Sequence, residues 1–208
     1  MVGESHTFQA LQMKPLSANA ASGKLAMLVN FGLFQLGWFA CVVGAAHGLA
    51  WAGSCTVLLI VILHLFSAKQ PMEAFKLVLL AVVIGACWES ALVMTGWIRF
   101  NDGNFIQGVA PHWILALWAL FATTLNVSLV WMRNRHLITV LLGAIGGPLS
   151  YWGGARIGAI TFVDPLPALI ALAVGWALLM LLLMAAAQRF NGFVAIPPHP
   201  QEAEPAHV

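Results

Sequence analysis

An all-α, polytopic six-helix transmembrane bundle is the fold this sequence predicts, and three observations predict it. Hydrophobic residues make up 61% of the 208 and charged residues only 8%, where a soluble domain carries about 25% charged residues. Six apolar runs recur, at 25–46, 48–66, 75–98, 113–132, 137–163 and 166–187, each close to the ~20 residues that cross a bilayer core of about 30 Å. The basic residues, finally, sort by side of the membrane, as a multi-pass chain requires. A net charge of +2 from nine scattered Lys and Arg excludes nucleic-acid binding by a basic patch.

Residues 1–24 form an N-terminal segment whose Glu4, His6, Gln9, Gln12 and Lys14 interrupt any signal-peptide core, so the first span is expected to be retained. Within it, Thr7 to Leu16 is mildly amphipathic and suited to the membrane surface. The first span bears Asn30, Gln35 and Trp38. Asn30 and Gln35 point about 140° apart on a helix, so each should find its own interhelical hydrogen bond. Only Ala46 and His47 separate this span from the second, which predicts an antiparallel hairpin. His47 and His64 lie at opposite ends of the second span, where interfacial roles are the ordinary explanation.

The third span contains Glu89, a carboxylate near the middle of Phe75 to Ile98. At that depth an acid costs at least ~2.5 kcal/mol, so it must be sheltered by neighbouring helices or face a watery cavity, and it marks the candidate site. Gly85, Ala86 and Gly96 share its helix face, where another backbone can approach closely. Residues 99–112 are the longest connection; Asn101, Asp102, Gly103 and Asn104 give it turn composition, and with a cytoplasmic N-terminus it faces the periplasm or cell exterior, the alternative being that Phe105, Ile106 and Val109 lie in the interface as a short cap over the bundle.

The fourth span carries a stripe of Ala116, Ala119, Thr123 and Asn126, a candidate to meet the Glu89 face. A short turn at 133–136 then leads to the fifth span, which is crowded by Gly143, Gly146, Gly147, Pro148, Gly153, Gly154 and Gly158. Pro148 removes a backbone donor and clashes with the preceding turn, so this helix is expected to be kinked or briefly unwound near Gly146. Ser150 and Tyr151 stand ready beside that point. Arg156 either leans back to pair with Glu89 or snorkels to the outer headgroups. After the sixth span, residues 188–208 contain Pro197, Pro198, Pro200, Pro205, Glu202 and Glu204, a composition expected to be a disordered tail.

If the N-terminus is cytoplasmic, Lys14, Lys24, Lys69, Lys76, Arg133, Arg135 and Arg189 lie inside and only Arg99 and Arg156 outside. That bias places both termini in the cytoplasm. No inverted repeat relates the two halves. Cys41, Cys55 and Cys87 fall inside spans without C-x-x-C spacing and are expected as small core residues, with no disulfide or metal site. Among nine tryptophans, Trp51, Trp97, Trp113, Trp152 and Trp131 suit the interfaces. Trp38, Trp88, Trp118 and Trp176 lie deeper, either as core or as the wall of a cavity beside Glu89. Metalloprotease, hydrolase-elbow and nucleotide-loop motifs are absent, and no cofactor is implied.

Three stretches carry a family resemblance: Asn30-Phe31 to Trp38-Phe39, Pro111-His112-Trp113 to Phe121-Ala122, and above all Gly146-Gly147-Pro148-Leu149-Ser150-Tyr151 with Gly154. Over about residues 28–185 the chain resembles a family of small bacterial inner-membrane proteins, domain of unknown function 2878. The resemblance implies a multi-pass inner-membrane location and, because the family's genes often lie near those for cyclopropane-fatty-acid synthase and other lipid-modifying proteins, a link to membrane lipid modification without defining a reaction. Glu89 takes the place of an acid, often Asp, in the family's third span.

The function expected is binding or presenting a lipid or similar apolar molecule, with Glu89, Gln35, Trp38, Trp88, Trp118, Asn126, Ser150, Tyr151 and Arg156 as the polar and aromatic lining. Membrane lipids, and through them lipid-modifying enzymes, are the partners implied. An intramembrane lipid-modifying enzyme with Glu89 as general acid or base is an alternative. So are a proton-coupled transporter, and a structural role in which Glu89 bonds to Asn126 or Thr123.

Overall fold

The computed structural model describes residues 16–194, and side chains from 23 onward. The expected amphipathic segment Thr7 to Leu16, apart from Leu16 itself, and most of the tail lie outside the described residues. Six α-helices follow in order: α1 Leu16–Ala46, α2 Ala50–Ser67, α3 Pro71–Thr95, α4 His112–Leu125, α5 His136–Ile157 and α6 Pro165–Arg189. Two short strands, β1 Ile98–Phe100 and β2 Ile160–Phe162, complete the described elements, with one 3₁₀ turn at Val130–Met132.

Five helices are long and apolar enough to cross a membrane, and their most apolar stretches are only 17% to 33% buried inside the protein. Side chains such as Leu28, Phe66, Leu137 and Leu178 project outward. Only an apolar surrounding removes such surfaces from water, so the outward faces are the lipid-facing ones. This is an integral membrane bundle.

The fourth helix is the exception. At 14 residues it is about 21 Å long, shorter than the hydrocarbon core. Its buried residues, among them Trp113, Ile114, Trp118, Leu120, Ala122 and Thr123, lie on all sides, and it packs closely on α1, α2 and α3 and touches α6. An enclosed helix need not match the bilayer. The expected fourth span ended at 132, but the helix stops at Leu125. Thr123 and Thr124 turn their hydroxyls to the carbonyls of Leu120 and Phe121, each at 2.7 Å, and turns follow.

The other helices ring α4: α1 packs on α2, α2 on α3, α3 on α6 and α6 on α5. Glycines set the close approaches. A Cβ on Gly53 would meet the Cys41 backbone in α1, and one on Gly143 would meet the Trp176 backbone in α6. The fifth helix touches α1 only sparsely, as α3 does α6.

Helices α3 and α5 end alike. Gly96 and Gly158 adopt left-handed φ of 74° and 103°, a conformation that glycine reaches without strain and that terminates a helix. The chain then extends, and β1 pairs antiparallel with β2, Arg99 opposite Thr161. The spans expected to run to 98 and 163 therefore finish as a two-stranded cap. Asn101 stitches it, donating to the Gly158 carbonyl at 2.7 Å and accepting from Thr161 at 2.9 Å. Ile98, Phe100 and Ile160 cover this end of the bundle, whereas Phe105 and Ile106, the alternative cap, are 84% and 64% exposed.

Because the ends of α3 and α5 pair, those helices run parallel, and α4 returns between them. At the opposite face the Gln70 amide donates to the Gly192 carbonyl at 2.9 Å and Asn126 to the Phe190 carbonyl at 3.1 Å. Residues 190–194, within the expected tail, thus fold back on the α2–α3 turn. Of the two expectations at Pro148, the unwound section does not form: α5 is helical from His136 to Ile157 with Pro148 inside. Cys41 is buried, but Cys55 and Cys87 face outward rather than into the core.

Candidate functional site

Glu89 is completely buried, six residues before the end of α3. Its Oε1 accepts a hydrogen bond from Trp118 Nε1 of α4 at 2.9 Å and another from the Tyr151 hydroxyl of α5. Its Oε2 is buried with no hydrogen-bond partner among the described residues. Three helices therefore meet at one carboxylate, and half of that carboxylate is unused.

Glycine makes this meeting possible. A Cβ on Gly85, one turn before Glu89, would run into the Trp118 ring; without it the indole lies on the α3 backbone with its N–H at the acid. Gly85 thus admits a ring rather than another backbone. On the other side, Gly147 of α5 accommodates the Trp176 ring of α6. Trp176 then stacks on Trp118, ring centroids 5.0 Å apart and planes 19° from parallel. The Trp176 Nε1 is also buried and has no partner among the described residues.

These groups border a cavity of about 420 Å³ between α1, α4 and α5, within the range of small-molecule sites. Phe34, Val42, Ile114, Leu117, Phe121 and Met180 make its walls mostly apolar. At its mouth, on the sparse α1–α5 seam, Leu142, Gly146 and Ser150 are exposed. Trp38 Nε1 donates to Ser150 Oγ across that seam at 3.0 Å.

Of the residues expected in the site, Glu89, Gln35, Trp38, Trp118, Ser150 and Tyr151 line this cavity. Trp88, Asn126 and Arg156 do not. Trp88 turns to α6, where its ring occupies the space that a Cβ on Gly175 would need. Asn126 bonds to Arg133 Nη2 at 2.7 Å, far from the acid. The Arg156 guanidinium lies 5.9 Å from the Trp152 ring centroid, so the pairing with Glu89 does not form. Nor does a bond from Glu89 to Asn126 or Thr123. Asn30 behaves as expected, donating to the Thr123 carbonyl at 3.2 Å. Trp113, expected in the outer belt, is instead fully buried and roofs the cavity. Trp176, one of the four deep tryptophans expected as core or as cavity wall, does line it, whereas Phe34 and Phe121 were not singled out; Gly143 and Gly147, one helical turn apart, are the signal that a large side chain crosses there.

The family model described as Protein of unknown function (DUF2878) matches residues 27–182. The chain belongs to that family. Every residue that lines the cavity falls within the matched DUF2878 region, including the Gly146 to Tyr151 run on which the resemblance chiefly rested. Neither the curated proteins nor the solved structures provide a match.

The chemistry available is narrow. One acid carries an oxygen without a partner among the described residues, and the remaining walls offer apolar and aromatic contact. Ser150 is engaged by Trp38, and among the described residues no three potential metal ligands cluster.

Proposed function

We propose that this protein binds an apolar molecule taken sideways from the surrounding bilayer, holding it between α1, α4 and α5 with its polar end at Glu89. The observation that carries this reading is the free Oε2 of a fully buried acid beside an aromatic cavity that opens on the seam between two lipid-facing helices. A buried carboxylate oxygen without a partner is costly in protein. A polar group on a guest would satisfy it, and the guest's apolar body would fill the walls.

The bacterial inner membrane is the proposed location, with both termini cytoplasmic. Supporting it, the start of α1 and the end of α6 lie at the same face as Lys69, Lys76, Arg133 and Arg135, the usual cytoplasmic bias. The family resemblance supports a role in supplying or presenting the guest to membrane lipid modification.

Gly146 provides the test, because it lines the cavity and a Cβ there meets nothing within 4 Å. Gly146→Phe should fill the mouth without disturbing the helix contacts. Mass spectrometry of material purified in its native lipids should show a selectively enriched apolar species with the native chain and its loss in Gly146→Phe. Identical extracts, both mirroring the bulk membrane, would refute the reading.

A further inference from the structure

At the β1–β2 end of the bundle, apart from the cavity, a serine and a histidine from different helices face each other. Ser54 Oγ of α2 lies 2.7 Å from Nδ1 of His112, the first residue of α4. Both residues are half-buried, and neither lines the Glu89 cavity. The Ser54 hydroxyl has one hydrogen and two acceptors in reach; the Ala50 carbonyl is the farther, at 3.4 Å, so the hydrogen goes to the ring nitrogen. This is a nucleophile set beside its base. The two residues stand 58 apart in the chain, which is why no local motif announces them.

The connection from β1 to α4 holds the pair in place. Asp102 Oδ2 accepts the Ala50 N–H at 3.0 Å, one turn before Ser54, and the Asp102 carbonyl accepts from Trp113 Nε1 at 3.0 Å, one residue after His112. Phe105 stacks on the imidazole, ring centroids 5.0 Å apart. At the far edge of the ring runs Gly103, at φ +76°, so close that a Cβ would stand 3.1 Å from Nε2. With the Asp102 carboxylate engaged at α2, stacking takes the orienting part that a carboxylate plays in a triad. The first N–H groups of α4, which have no intrahelical partner, begin at His112 itself and supply donors for an oxyanion.

The surroundings indicate the substrate. Trp51 and Leu58, three residues before and four after Ser54 and so on its side of α2, are both exposed. Ser54 therefore borders the lipid-facing surface, about 6 Å inside the start of α2. At the boundary between headgroups and hydrocarbon lie the acyl ester carbonyls of glycerolipids. We propose that Ser54 and His112 form a catalytic dyad that hydrolyses an acyl ester of a membrane lipid in the leaflet at the β1–β2 end. Ser54 Oγ attacks the ester carbonyl while His112 Nδ1 takes its proton; the bond to the lipid alcohol breaks, and the alcohol leaves with the proton from His112. Water then attacks the acyl group on Ser54 and gives a proton to Nδ1, which returns it to Ser54 Oγ as the fatty acid departs. Water is the one co-reactant, and the dyad works without the Glu89 cavity.

A fluorophosphonate probe, which phosphonylates activated serines, tests the nucleophile on the full chain in nanodiscs of dioleoylphosphatidylglycerol and dioleoylphosphatidylethanolamine. Mass spectrometry should place the adduct on Ser54 and not on Ser67, which is exposed at the opposite end of α2 with its hydroxyl on the His64 carbonyl. His112→Asn keeps a polar group near the place of Nδ1 without a base, and should slow labelling by about 100-fold or more. The nanodiscs should release oleate and lysolipid with the native chain and neither with Ser54→Ala. Ser54 labelled no faster than Ser67, labelling unchanged in His112→Asn, or labelling without release of oleate would each overturn the dyad. If His112→Asn does not fold, the preference for Ser54 over Ser67 in the native chain decides: its collapse in denaturing detergent supports the dyad, and its survival there, where α2 and α4 no longer meet, overturns it.

Discussion

Replacing Glu89 by leucine and, separately, by glutamine separates what the acid's charge does from what its acceptor oxygen does. Both variants remove the ionisable group, so the difference between them is free of the burial cost of a carboxylate. Glutamine keeps a carbonyl oxygen for Trp118 Nε1, now at 2.9 Å, and for the Tyr151 hydroxyl. Leucine strands both donors in the bundle interior. Hydrogen bonds inside membranes average ~0.6 kcal/mol each, so two of them set a floor of about 1 kcal/mol for the difference. Two stranded buried donors at ~1–3 kcal/mol each set a ceiling of about 6 kcal/mol. Reversible unfolding by denaturing detergent, with helicity as the signal, should therefore rank Glu89→Gln above Glu89→Leu by an amount in that interval. The gap should shrink in a Tyr151→Phe background, because one donor is then already gone. A leucine variant as stable as the glutamine one would refute the claim that the acid holds α4 and α5 to α3.

Two glycines should respond with opposite sign to the same substitution. Gly175→Ala drives a methyl into the Trp88 ring and should destabilise the protein by ~1–3 kcal/mol, whereas Gly146→Ala, with open space at its Cβ, should stabilise it by ~0.5–1 kcal/mol through helix propensity; thermal unfolding of the pair in one detergent reads both. Asn101→Ala removes two of the bonds that hold β1 to the α5 cap and should raise amide exchange at Ala159 to Thr161 without altering exchange at Gln70, at the opposite face. Ser150→Ala releases Trp38 from the seam and should speed ligand exchange more than it changes affinity; an unaltered dissociation rate would argue against passage between α1 and α5.

The bundle was legible because membrane-facing helices announce themselves by apolar length, and α2, α3, α5 and α6 begin or end near the residues where hydropathy changes. The misplaced boundaries have one cause. Hydropathy does not register where helices stop: Val127, Leu129, Val130 and Met132, partly or fully buried, prolong the fourth apolar run past the end of α4, and Ile98, Phe100, Ile160 and Phe162 prolong two others into strands. The signal that corrects the latter is local, a glycine able to take positive φ followed by β-branched and aromatic residues, and it is present at Gly96 and Gly158. For the site, the energetic argument from Glu89 located the buried acid and its neighbouring helix, but axial reach selected Arg156 where Tyr151 holds the contact. A guanidinium can reach a headgroup and keep its water, while a phenol in the same helix gains by entering the core, so the less polar group took the acid.

Placing one helix inside a ring of five creates the cavity as a matter of geometry. The ring around α4 closes tightly at the α1–α2 and α5–α6 seams, and α1 and α5 meet only sparsely. Gly143 and Gly147 draw α6 tightly against α5 with Trp176 between them, which carries α5 toward α6 and leaves α1 behind. The space so left is bordered by consecutive residues of α5 that point about 100° apart. Ser150 faces the open seam and Tyr151 faces Glu89. One helical step therefore joins the mouth of the cavity to its acid, and a rotation of α5 that opened the first would loosen the second, coupling access for the guest to the hydrogen bond that holds the bundle together.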